Sequence, residues 1–199
     1  MKLLVLFLVF LMPGFLSNAQ PWTAIQFEKA NTAENVNYLS RVEKDVILYI
    51  NLARMYPAQF AENEVRHYYG PSKYGEYLKN SEYRSSLIEY LNHLKPTHPL
   101  LPDNGLYQDA RCFAKESGES GYVGHDRKKC PPLKAAECCS YGMEEAKDIV
   151  LQLLIDHDVP SLGHRLICLD KSYFRIGVSR YTHTVWEFCA VANFGWAKE

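Results

Sequence analysis

Two histidines sit in Gly-His turns, Gly124-His125-Asp126 and Gly163-His164-Arg165, at opposite ends of one stretch of the chain. Glu137 lies between them, just before the doublet Cys138-Cys139. A neutral imidazole is both a ligand for divalent metals and a proton carrier near pH 7. After glycine in a polar loop, it presents both ring nitrogens. Glu137 is flanked by Ala136 and Cys138, an apolar context that predicts burial. A buried carboxylate needs an ionic partner, hydrogen bonds or a metal, and Arg165 is one candidate. Asp156 and Asp158 precede the second turn and could add a further acid. Brought together, His125, His164 and Glu137 would suit a divalent metal or proton transfer. Each also has a plain structural reading: a turn histidine bonded to backbone, a buried acid in a salt bridge, aspartates at the surface. His93, His98, His157 and His183 read as surface or structural residues.

Other catalytic signatures are missing. The chain has no H-E-x-x-H helix and no P-loop. Gly118-Glu119-Ser120-Gly121-Tyr122 falls short of a nucleophile elbow, because its closing glycine comes one position early and a helix precedes it.

The elements that must position these residues follow from periodicity. Ser40 and Glu43 form a capping box, and Val42, Val46, Tyr49, Ile50 and Ala53 share one helical face up to Pro57. A short helix follows from Ala58. Leu87, Tyr90, Leu91 and Leu94 mark a helix from Ser81. Asp103 or Asn104 caps another with Leu106, Ala110, Phe113 and Ala114 on its face, stopping at Gly118. Residues 122–136 read as loop. Glu144 and Glu145 open a helix that Pro160 ends. Phe174, Ile176 and Val178 alternate with polar neighbours, and the apolar run Val185 to Phe194 suits a central strand. Their short link predicts an antiparallel hairpin. Helices first and a terminal sheet predict one α+β domain.

The first nineteen residues carry Lys2, an apolar run from Leu3 to Met12 and small residues at Ser17 and Ala19, the order of a secretory signal. No later stretch is apolar over the about 20 residues a membrane span needs. The expected division is a signal over 1–19, an N-terminal arm over 20–39 and one domain over 40–199. The expected location is secreted or extracellular, with the periplasm or a cell surface as other endpoints. A net charge of −1 indicates no broad basic face for nucleic acid. Six cysteines follow the signal, an even count that predicts disulfides in an exported chain. Cys138 and Cys139 are expected to bond to different partners, since neighbours on an extended chain point apart. Cys168 and Cys189 could tie the start of the sheet region to its last strand. The C-x-x-C spacing of a zinc ribbon is absent.

Several of these pieces, taken in order, resemble the CAP superfamily of cysteine-rich secretory, antigen 5 and pathogenesis-related 1 proteins. Val46 to Arg54 is similar to the family's first helix ending in N-x-x-R, Leu106 to Gly118 to its A-x-x-x-A helix, and Gly124-His125 to its first histidine turn. Ala136-Glu137 stands where the family has Gly-Glu-Asn, Gly163-His164-Arg165 resembles the bacterial S-P-G-H-R turn, and Ile176-Gly177-Val178 the following strand. The match covers roughly residues 40 to 195. Cys138 replaces the family's Asn, and the eukaryotic H-Y-T-Q signature is absent, so a bacterial-type domain is the closer comparison. The resemblance implies a three-layer α-β-α sandwich with a central antiparallel sheet and a cleft. It implies His125 and His164 as ligands of zinc or another divalent cation, Glu137 as the first acid and Asp156 as the second. The fold implies no one reaction. A secreted binding module for an anionic ligand or a partner protein is the first expectation. A secreted metal-assisted hydrolase using His125, Glu137 and His164 is the second, and a lipid or sterol binder the third.

Overall fold

The computed structural model describes residues 20–196, so the expected signal segment lies outside the described residues. The elements run α1 (Ala24–Ala30), α2 (Arg41–Met55), α3 (Pro57–Phe60), α4 (Glu82–His93), β1 (Leu101–Pro102), α5 (Asn104–Ser120), β2 (Ala136–Tyr141), α6 (Ala146–Ile155), α7 (Gly163–Leu169), β3 (Tyr173–His183) and β4 (Glu187–Trp196). The class is α+β. One sheet holds the strands in the order β1-β3-β4-β2. Among the described residues, no helix is long and apolar enough to cross a membrane.

The hairpin of β3 and β4 is antiparallel, with Val178 opposite Ala192. β2 joins β4 antiparallel, with Cys138 also opposite Ala192 from the other side. The expectation of an antiparallel sheet is corrected at one edge, where β1 pairs parallel to β3 and makes the sheet mixed. Pro102 has no N–H to extend that pairing, which confines it to an edge.

Both Ser40 oxygen and Glu43 carboxylate complete the capping box of α2. The second Glu43 oxygen accepts the Arg180 N–H at 2.9 Å and ties the helix start to β3. Asn51 and Arg54, the polar pair of the N-x-x-R pattern, are fully buried. Asn51 donates to the carbonyls of Ala30 and Leu100 and accepts from Leu100 N. Arg54 donates to the carbonyls of His98, Cys168, Asp170 and Tyr173. These satisfy main-chain groups that would otherwise be orphaned inside the protein. Residues 20–39 pack as well: Ala30 and Ala33 are buried in the main core.

α5 runs past its expected stop at Gly118 and closes at Ser120, with Gly121 in the left-handed conformation. Gly118 is buried in the last turn of α5 because β3 presses on it; a Cβ there would lie 2.1 Å from the Thr182 carbonyl oxygen. Gly177 on β3 makes the reciprocal approach, its Cβ position 2.1 Å from Tyr107 N. One sheet face packs Val191, Cys139 and Cys189 against Ala110, Phe113 and Ala114 of α5. The opposite face joins Cys138, Ile176, Val178 and Phe194 to the core formed with α2, α4, α6 and α7.

Candidate functional site

β2 was not foreseen as a strand, and it is the element that positions Glu137. Opposite Asn193, the Glu137 carboxylate is 9 % exposed. Its Oε1 accepts from His125 Nδ1 at 2.9 Å, and its Oε2 pairs with Arg127 Nη2. Arg127 is buried over the Phe113 ring and also meets Asp109 at 3.0 Å. The suggested partner Arg165 is elsewhere. It is buried and spends its guanidinium on the carbonyls of Leu154, Ile155 and Tyr83 and on Ser86 Oγ. The physical reason is direction: α7 turns Arg165 away from β2 and into the gap between α4 and α6.

The first Gly-His turn is clamped from β2. Tyr141 Oη accepts from Gly124 N and donates to Gly124 O, at 3.1 and 3.2 Å. Gly124 takes φ +137, where the Tyr122 hydroxyl would meet any Cβ at 2.6 Å. Downstream, the Glu116 carboxylate on α5 accepts the N–H groups of Lys128, Lys129 and Cys130. A disulfide from Cys112 to Cys130 pins the same loop to α5.

The second turn is organised by Asp156. This residue ends α6 in the left-handed conformation, φ 56, and is 2 % exposed. Its Oδ2 accepts the His164 and Arg165 N–H groups at 2.9 and 3.3 Å, capping the start of α7 through space. Its Oδ1 accepts from His164 Nδ1 at 2.7 Å. The expected turn after Gly163 is thus the first turn of a short helix.

The two rings stand 6.3 Å apart between centroids, inclined by 32°. A carboxylate can only accept, so each Nδ1 carries the proton and each neutral ring presents a bare Nε2. Neither Nε2 has a hydrogen-bond partner among the described residues. His164 and Asp156 line a cavity of about 280 Å³ with Cys139, Tyr141, Gln152 and His157. His125 and Glu137 line a separate opening with Arg127 and Leu133. Cys139 Sγ lies 3.7 Å from His125 Nδ1. His125, Glu137 and Cys139 offer ligand atoms within 4.8 Å of one another. The hydrogen bond to Glu137 raises the His125 pKa above its ordinary value, against partial burial and the nearby Arg127 charge. Burial pushes the Cys139 thiol well up, so it is a thiol at neutral pH.

Asp158, the other acid before the second turn, is exposed and 3.5 Å from His157. His183 is buried, its Nδ1 accepting the N–H groups of Val185 and Trp186 at the hairpin turn. His98 stacks on Phe174. The sequence reading missed Arg127 and Tyr141. Arg127 lies two residues beyond His125, yet nothing local marks it as Glu137's partner. Tyr141 shares a strand face with Cys139, a relation visible only once β2 is known.

No protein-family model matches the chain, and no curated protein matches it. An outer surface protein of Borrelia burgdorferi is structurally similar at a TM-score of 0.43 and 22 % identity, covering 58 % of this chain and 90 % of that one.

Proposed function

We propose that the chain is a secreted CAP-like binding domain, a three-layer α-β-α sandwich whose cleft holds a divalent cation between His125 and His164. The observation that carries this reading is the paired arrangement of the imidazoles. Each Nδ1 is occupied by a buried carboxylate, at 2.9 Å from Glu137 and 2.7 Å from Asp156, and each Nε2 is left bare. Carboxylates behind metal-binding histidines fix the tautomer and raise ligand basicity. With zinc–nitrogen bonds of about 2.0–2.1 Å, one ion shared by the two rings would lie between their Nε2 atoms. The remaining coordination positions would face the cleft and take an anionic group of a ligand or a partner loop.

A metal-assisted hydrolase would need a general base free to take a proton from bound water. Both Glu137 oxygens are already engaged, one by His125 and one by Arg127. That favours binding over hydrolysis. A lipid carrier would use the groove away from His125 and His164, where Leu94, Leu166 and Leu169 lie beside Lys95, Asp170 and Lys171.

Zinc titration of the purified chain by calorimetry tests the reading. One ion per chain is expected for the wild type, and His164→Ala should weaken binding by more than the about 10–100-fold that loss of an outer-shell partner costs. A wild type that takes up no zinc, or a His164→Ala variant that binds equally well, would overturn it. Hydrolysis of an ester, peptide or glycan by the wild type and not by Glu137→Gln would establish the hydrolase instead.

A further inference from the structure

We infer that Cys138 and Cys168 close a second disulfide, which fastens α7, the helix carrying His164, to β2, the strand carrying Glu137. Both thiols are 0 % exposed and belong to one core cluster. Both are free thiols in the structure. Cys138 Sγ also lies 3.8 Å from the His164 carbonyl oxygen. Cys168 comes four residues after His164, on the same face of α7.

The other two thiols do not compete. Cys139 and Cys189 face the opposite side of the sheet, against α5. The suggested Cys168–Cys189 link is therefore corrected: the sheet itself stands between them. Cys189 lies opposite Tyr141 and Cys139 opposite Val191, a diagonal relation. Diagonal neighbours are about 7–8 Å apart, beyond comfortable disulfide reach. Each also has its own contact, Cys189 Sγ with the Ala114 carbonyl at 3.3 Å and Cys139 Sγ with His125 Nδ1 at 3.7 Å.

The oxidant is a disulfide donor of the exporting compartment. One cysteine thiolate attacks a donor sulfur, forming a mixed disulfide and releasing one donor thiol. The second cysteine thiolate then attacks the protein sulfur of that mixed disulfide and releases the other donor thiol. Two protein thiols are oxidised and one donor disulfide is reduced to two thiols, with the protons passing to the departing donor sulfurs. Since neither sulfur is exposed in the packed domain, exchange occurs before α7 docks.

The test is thiol mapping of the full chain exported into an oxidising compartment. The protein is unfolded in guanidinium with excess iodoacetamide and no reductant, then digested for mass spectrometry. A Cys138–Cys168 linked peptide is expected, with Cys139 and Cys189 alkylated. Alkylated Cys138 and Cys168, or either joined to another cysteine, would overturn the assignment. Cys168→Ser should convert Cys138 to the alkylated form. If that variant does not accumulate, wild-type mapping still decides. Amide hydrogen exchange tests the fastening: reduction of the bond should speed exchange across α7 at least tenfold. Unchanged exchange would show that the link holds nothing in place. Neither readout depends on a bound cation.

Discussion

On His125, a proton and the proposed cation would contend for the same atom, Nε2, because Nδ1 already serves Glu137. The hydrogen bond to Glu137 raises the ring's pKa, and this has two consequences of opposite sign. The protonated pair adds stability that is fully present below the unfolded value of about 6.5 and is lost as pH rises through the raised folded value. Cation uptake instead fails as pH falls through that folded value. Proton NMR of the imidazole should give a midpoint above about 6.5. Glu137→Gln should bring it back toward that value while lowering zinc affinity about 10–100-fold at high pH. An unmoved midpoint would show that Glu137 does not set the titration. Glu137 was legible as a buried acid from its apolar neighbours. Its cation was not, because Arg127 reaches it across a loop held by Glu116 and a disulfide.

Elements were legible where their signals are local. α2, α4 and α5 begin at Ser40, Ser81 and Asp103, residues whose side chains cap them. β2 was hidden, because both its faces are covered and Ala136-Glu137-Cys138-Cys139-Ser140-Tyr141 shows no apolar alternation. α7 was hidden because its cap comes from Asp156 and not from the residue preceding it. Gly118 misled, having the look of a helix stop while serving as a contact surface for β3. Gly118→Ala should therefore cost about 1–3 kcal/mol through overpacking, despite alanine's better helix propensity. A thermal melt should show a fall of a few degrees. A rise in midpoint would mean that α5 and β3 separate easily.

Across the whole molecule, the α+β class followed from helices preceding a terminal hairpin, but the mixed sheet did not. The two-residue β1 leaves too short a trace to read. Arg54 does the most to join distant parts, since its buried guanidinium binds four carbonyls: His98 before β1, Cys168 in α7, Asp170 just after it and Tyr173 at the start of β3. Burial, opposed by Cys168 and Asp170, pushes its pKa down to about 10, so it stays charged at neutral pH. Lysine cannot reproduce that fan of donors. Arg54→Lys should cost about 3–5 kcal/mol, from carbonyls left without donors at about 1–3 kcal/mol each. That lowers the melting midpoint by on the order of 10 °C, and a shift under about 2 °C would count against this role. Asp156 joins two tasks in a similar way, since one carboxylate starts α7 and aims His164. Starting that helix and aiming the imidazole thus draw on one side chain, so whatever dislodges Asp156 releases both at once.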